Sequence, residues 1–358
     1  MLEKLAQQLA AARSLTDEQV CEAVEQLADG KVSAVVKADF LTALARKGET
    51  SGEIAAFART LHHKSIAPPL DPAWRDAHEI LDVVGTGGDR LGTFNISTAA
   101  ALICAAAGVA VAKHGNRAVT SQAGSADVLE ALGVRIDLTS AEAVRSLRER
   151  NFAFFFAPAY HPAFKHIAPA RKLCAERGQR TVFNLLGPLL NPARPSAVLA
   201  GVPRPELCEP IARVLQLLGV RRAMVVCGRV QSSKSKAQSQ PEEADGYLDE
   251  LSTLGENTIA EFYQEHGFAV STSVPEELSL QRAMLADLLG GDRQANAEII
   301  RRILRGDERG PKRDAVLLNA DAALFVAGKT KSIAEGWNLA GETVDSGRGN
   351  KKLLELAS

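Results

Sequence analysis

The sequence predicts an α/β protein, with a small all-helical N-terminal domain and a large domain built on a mostly parallel central sheet. Three observations lead there. The first seventy residues carry helical apolar periods broken by cap residues. From residue 79 onward, short apolar runs alternate with helical segments, the pattern of a sheet covered on both faces. Two of those runs lead into glycine-bearing loops, Gly85-Thr86-Gly87-Gly88-Asp89 and Lys113-His114-Gly115-Asn116-Arg117.

Residues 1–14 read as an amphipathic helix of alternating charged and apolar residues, without the regions of a signal peptide. Thr16 with Gln19 forms a capping box, Leu15 and Val20 its hydrophobic staple, and Gly30 stands where a helix stop belongs. A third helix ends near Gly48, and Thr50 with Glu53 caps a fourth. The proline-bearing stretch 67–72 reads as a linker. Strand-like runs follow at 80–84, 109–112, 152–156, 197–202 and 223–227. Residues 229–245 are polar and Ser/Gln-rich, which predicts a mobile insertion with too little apolar surface to order itself. The C-terminal third returns to helices, 314–326 being the most apolar. The domain boundaries expected are 1–72 and 73–358.

A formal net charge of -1 gives no global basic field, so nucleic acid is not expected as a partner. No apolar run is long enough to span a bilayer. The five cysteines lack CxxC spacing and read as reduced thiols of a cytoplasmic protein rather than a disulfide frame or zinc site.

Between the two loops lies Asn95-Ile96-Ser97-Thr98, placing amide and hydroxyl groups at the start of a helix of small residues. Glycines let the backbone approach an anion closely, and the first N–H groups of a helix have no internal partner and carry the positive dipole end. Strand, glycine turn and helix N-terminus together point to a phosphorylated ligand. Taken alone, GTGGD reads equally as a bare tight turn; the neighbouring motifs tip it toward phosphate.

In chain order, GTGGD (85–89), NISTA (95–99), KHGNR (113–117), GSADVLEALG (124–133), YHPAFKHIAPAR (160–171) and FNLLGPLLNPA (183–193) form a series. With VLLNADAALFVAG (316–328) and VDSG (344–347), the chain resembles the anthranilate phosphoribosyltransferases over nearly its whole length. The resemblance implies a nucleoside phosphorylase/phosphoribosyltransferase-like fold whose helical domain is completed by part of 162–180, with the active site in the cleft between the domains. It implies transfer of the phosphoribosyl group of 5-phosphoribosyl 1-pyrophosphate (PRPP) to the amine of anthranilate, releasing pyrophosphate, in tryptophan biosynthesis. The aromatic amine is a weak base, neutral at pH 7, so no general base is assigned. Donor binding falls to Gly85, Thr86, Gly87, Gly88, Asp89, Thr93, Asn95, Ser97, Thr98, Lys113 and Ser125, with Lys113 and Ser97 stabilising the leaving group. Gly85, His114, Asn116, His161, Arg171 and Gly187 border anthranilate, Arg171 offering its planar fork to the carboxylate. Ser97, Asp249 and Glu250 hold magnesium, two ions per site. A homodimer through the helical domain completes the expectation.

Plainer readings stand beside these. A lone Asp-Glu pair is usually solvated, and Arg171 could serve a helix end beside Lys172. His62, His63, His78, His166 and His266 read as structural; the spacing of His161 and His166 puts no two imidazoles on one helical face. The chain departs from the family pattern at Ala123, where a serine is common, in extra residues within 173–179, and in the register of Leu248 before Asp249. Rival functions are a pyrimidine-nucleoside phosphorylase and a non-catalytic nucleic-acid-binding relative.

Overall fold

A computed structural model describes residues 1–118, 122–230, 246–263, 267–274, 280 and 283–358. Four helices open the chain, α1 (Leu2–Ala10), α2 (Asp17–Ala28), α3 (Ala34–Lys47) and α4 (Ser51–His63). Both expected capping boxes form: Thr16 with Gln19, and Thr50 with Glu53. Leu15 and Val20 are buried as a staple requires. Glu53 also accepts from the Leu15 N–H and pairs with Lys47 at 2.7 Å, tying three helices together. Gly30 does not supply the stop. Asp29, in extended conformation, ends α2, and Gly30 instead lies so close to the His166 ring that a Cβ there would come within 3.1 Å of it. The linker is shorter than read, because Asp71 caps a further helix, α5 (Pro72–Ala77), with Pro72 in its first turn.

The sheet follows. In chain order come β1 (Ile80–Gly85), α6 (Ile96–Ala106), β2 (Ala110–Gly115), α7 (Ser125–Ala131), α8 (Ser140–Arg150), β3 (Phe152–Phe156), α9 (Ala157–Tyr160), α10 (Phe164–Glu176), β4 (Ala197–Gly201), α11 (Cys208–Leu217), β5 (Arg222–Val230), β6 (Gly246–Leu248), β7 (Asn257–Tyr263) and β8 (Gly267–Ser273). Helices α12 (Leu285–Leu288), α13 (Arg293–Arg305), α14 (Pro311–Val326), α15 (Ile333–Asp345) and α16 (Arg348–Leu356) close the chain. The strand order is β3-β2-β1-β4-β5-β7-β8, with β6 paired to β5. The first five of these positions run parallel; β6, β7 and β8, not read from the sequence, are antiparallel. Arg229 and Val230 belong to β5, paired with Tyr247 and Gly246, so the expected insertion does not begin at 229; residues 231–245 lie outside the described residues, as does His266.

One sheet face packs on α6, α14 and their C-terminal neighbours. On the other face, α11 and strand residues such as Val198 and Val225 share a continuous apolar core with α1 to α4 and α10. Helix α10 lies against α3 and α2. After β1 the chain builds outward through β2 and β3, then returns to lay β4 on the other side of β1. That reversal makes a topological switch point, and Gly85 and Gly201 sit side by side at its carboxyl end.

Candidate active site

The GTGGD turn leaves β1 at this switch point. Gly87 has φ +69°, a left-handed conformation that favours glycine. Its N–H, the Gly88 N–H (3.3 Å) and the Thr86 hydroxyl (3.0 Å) all donate to one oxygen, Oδ2 of Asp249. The turn is thus an oxyanion cradle, and in this structure a carboxylate sits in it. Nearby, the Ser97 N–H in the first turn of α6 donates to Glu250 Oε1 at 3.2 Å. The acidic pair therefore reaches both anion-binding features, although Asp249 lies 161 to 163 positions along the chain from the turn residues it meets. Glycines make the approach possible. A Cβ on Gly201 would fall 1.6 Å from the Asp249 carbonyl oxygen, and one on Gly228 2.7 Å from that of Glu250.

Asp89, Asp249 and Glu250 crowd together, Asp249 buried and the other two half-buried. Burial, then the Asp249 charge, raises Asp89 to about 7 and Glu250 to about 8; burial also raises Asp249, opposed by the donors of the turn. Lys113 lies beneath them. It was expected in a loop, but β2 runs on through Lys113 and His114 to Gly115, and the lysine is only 2% exposed. Its ammonium donates to the Val83 carbonyl and to Ser97 Oγ (3.3 Å) and faces Asp82 and Glu250, while burial lowers its pKa. It is a counter-charge under the site rather than an open phosphate contact. Asp82, raised to about 6 by burial, accepts from Asn191 (2.8 Å), which also donates to the Ala112 carbonyl (2.7 Å). Neither Asp82 nor Asn191 was singled out from sequence, although Asn191 stands in the FNLLGPLLNPA motif.

Thr98 is buried with its hydroxyl unpaired. Asn95 donates to the Ala123 carbonyl and accepts from Asn296, so its side chain braces the loop rather than capping α6. Thr93 forms a bridge with Leu289. Ser125 begins α7 beside Gly115, where a Cβ would collide with its hydroxyl at 2.2 Å. Asp127, of the GSAD motif, accepts from the Ala118 and Gly124 N–H groups and pairs with Arg117, so it ties down the chain leaving β2. Asn116 is exposed, its Oδ1 accepting from the Arg117 N–H.

A second wall is aromatic. Ring contacts run from His114 to His161 (5.3 Å), to Phe164 (5.3 Å) and to Phe183 (5.7 Å), over which the Arg171 guanidinium lies at 5.5 Å. The ring series thus links Arg171 to the two histidines grouped with it from sequence. Its fork rests on a ring face, and no acidic side chain among the described residues forms a salt bridge with it. Gly187 opens the short turn beside them and is exposed. Burial lowers His114 to about 3 and His161 to about 4, and each keeps an unpaired Nε2. His62 joins them unexpectedly: it bonds the Leu189 carbonyl at 2.9 Å and is also lowered to about 4 by burial. Nothing in its local sequence marks it. The arrangement offers oxyanion donors and hard oxygen ligands on one side and neutral imidazoles with an unpaired cation on the other. Among the described residues no trio of His, Cys, Asp or Glu side chains is grouped to hold a metal by itself.

The family model described as glycosyl transferase family, helical bundle domain matches residues 1–65; that described as glycosyl transferase family, a/b domain matches 77–350. The chain is 45% identical over 343 residues to an anthranilate phosphoribosyltransferase of Lacticaseibacillus paracasei, covering 96% of this chain and 93% of that one. The corresponding protein of Petrotoga mobilis is 45% identical over 350 residues, with 98% and 94% covered. Among solved structures, the anthranilate phosphoribosyltransferase of Thermus thermophilus matches with TM-score 0.83 at 42% identity, over 99% and 98% of the two chains. That of Saccharomyces cerevisiae, in complex with PRPP and Mg, gives 0.83 at 25% identity, over 99% and 96%.

Proposed function

The chain belongs to the anthranilate phosphoribosyltransferase family, and from that premise we propose that it transfers the phosphoribosyl group of PRPP to the amine of anthranilate with release of pyrophosphate. The observation that carries the reading is the convergence of the GTGGD cradle, the first turn of α6 and the acidic pair at one point of the sheet edge. Displacement at the anomeric carbon builds positive charge on the sugar and negative charge on the departing pyrophosphate. Catalysis then rests on positioning and on oriented donors. The turn N–H groups, Thr86, Asn95, Ser97 and Thr98 would hold the phosphates; Asp89, Thr93 and Ser125 would shape their surroundings; Lys113 would add its field from below. The unpaired Arg171 would take the anthranilate carboxylate, with His114, Asn116, His161 and Gly187 lining its ring.

Magnesium fits the acidic side of this site. Asp249, Glu250 and the Ser97 hydroxyl are hard oxygen donors, and the raised pKa values of the crowded carboxylates mark negative charge that a cation would relieve. Bound there, it would neutralise charge on the leaving pyrophosphate, as is consistent with the yeast relative's complex with PRPP and Mg. Two ions per site remains our reading, from the size of that charge. Among the described residues no protein-only trio of ligands forms, and magnesium commonly takes most of its shell from substrate and water.

The relatives' common activity sets aside the phosphorylase and the nucleic-acid-binding alternatives. We further propose a cytoplasmic protein and a homodimer formed through α1 to α4, where Val35 on α3 is 52% exposed; sedimentation at micromolar concentration tests the dimer, and a single monomeric species would overturn it. The test of function is product formation from PRPP, anthranilate and magnesium. Asp249→Asn and Glu250→Gln should each shift the magnesium curve to higher concentration while the protein stays folded; unchanged curves in both would reject the ligand assignment.

A further inference from the structure

We infer that Asn319, seconded by Asn257, is a positioning residue that holds the backbone following Asp249 and Glu250 and so fixes where those carboxylates point. The inference rests on the reading of that pair as the acidic end of the donor site. Asn319 lies on α14 in the motif VLLNADAALFVAG, which the function above leaves without a role, and it is fully buried. Its Oδ1 accepts from the Leu251 N–H at 2.9 Å and its Nδ2 donates to the Leu251 carbonyl at 3.0 Å. The same Nδ2 donates back to the Ala315 carbonyl, which locks the amide's orientation. Asn257, at the start of β7, repeats the arrangement one residue on: its Oδ1 accepts from the Ser252 N–H at 2.6 Å, and its Nδ2 donates to the Ser252 carbonyl at 3.0 Å.

Residues 249–252 leave β6 and belong to no strand or helix. Two side-chain amides supply the pairing that a neighbouring strand would, and Gly201 and Gly228 leave the segment room to lie against the sheet end. Such a clamp has a physical reason. Asp249 is buried and Glu250 beside it half-buried, and when both carboxylates are ionised their repulsion would swing a free loop outward. A leucine at 319 would suit the apolar side of α14 but would leave the Leu251 N–H and carbonyl unpaired in a buried place.

In Asn319→Leu, the magnesium concentration at half-maximal rate and the KM for PRPP should both rise on the order of tenfold, as when a partner behind a metal ligand is lost. The KM for anthranilate should stay within about twofold of the native value. Calorimetric titration of magnesium into enzyme holding PRPP, with anthranilate omitted, should show the same weakening without reference to turnover. Asn319→Asp supplies a rescue. When protonated, its acid group accepts from one Leu251 atom and donates to the other, as the amide does. Burial favours the protonated acid, so its half-saturation relative to the native enzyme should approach one toward acid pH and diverge as pH rises. Asp321→Asn, two residues on and clear of the segment, should leave the magnesium curve in place. If Asn319→Leu does not fold, Asn257→Ser and Asn319→Asp carry the test. A folded variant with lower melting temperature but native magnesium and PRPP dependence would overturn the inference. Asp249→Asn run in parallel separates the causes: a shift there alone overturns the clamp, and no shift in any variant overturns the reading of the acidic pair with it.

Discussion

Arg171→Ala divides the aromatic half of the site from its phosphate half. With the guanidinium lying on Phe183 and in no salt bridge among the described residues, its removal should lower kcat/KM for anthranilate on the order of ten- to a hundredfold, the worth of one charge-assisted hydrogen bond. The KM for PRPP should barely move. Aniline, which lacks the carboxylate, should react equally poorly with both proteins; an equal loss for both acceptors would make Arg171 structural. Lysine should restore activity only in part, since it keeps the charge without the fork or the flat stack. Gly201→Ala tests the other half. Its methyl would fall on the Asp249 carbonyl, so the displaced segment should reduce stability by about 1–3 kcal/mol in urea titration and weaken PRPP binding. At this scale the sequence disclosed residue types better than their surroundings. The glycine turn and the paired carboxylates were legible by motif. That Asp249 lies inside the turn, that Lys113 lies under it and that His62 joins the histidine wall depends on contacts across the fold, which no local pattern carries.

Helix α14 carries a second buried polar group with a different consequence. Asp321 is fully buried with no side-chain partner on either oxygen, and burial, against the lowering effect of the Ala322 N–H, raises its pKa well above the ordinary carboxylate value. The folded state holds a proton that the unfolded chain releases above about pH 4. Its contribution is complete below that pH and is lost as pH rises through the folded-state value. Asp321→Asn should therefore raise the melting temperature more at pH 8 than at pH 5; an equal gain at both would mean the carboxyl is not held neutral. Caps were the most legible elements, because Thr16, Gln19, Thr50 and Glu53 act within one turn of chain. Thr50→Ala should cost about 1 kcal/mol by chemical denaturation. Strand ends were read less well. Lys113 and His114 look like loop residues because the carboxyl edge of this sheet is where polar groups work. The antiparallel strands escaped notice for another reason: β8 is largely exposed and shows no buried alternation.

For the molecule as a whole, ligands that join its parts should also stabilise it. Magnesium with PRPP at a hundredfold excess over its dissociation constant should add about 2.7 kcal/mol to folding, seen as a higher melting temperature, and Asp249→Asn should lose most of that gain. Magnesium alone should give much less, because no complete set of protein ligands is grouped among the described residues. The α/β class and the order of its main elements could be read from the sequence because periodicity and punctuation are local signals. How the helices at the front of the chain join the sheet could not. Leu27, Phe40 and Phe57 from those helices belong to the same apolar core as Val198, Val225 and Phe262 of the sheet. A boundary drawn along the chain therefore crosses an interior that is continuous in space, and neither piece keeps a closed surface when the other is removed. Calorimetry of the intact protein should record one endotherm, with van't Hoff and calorimetric enthalpies in agreement, and a peptide of residues 1–72 should lack the sharp thermal transition of the parent.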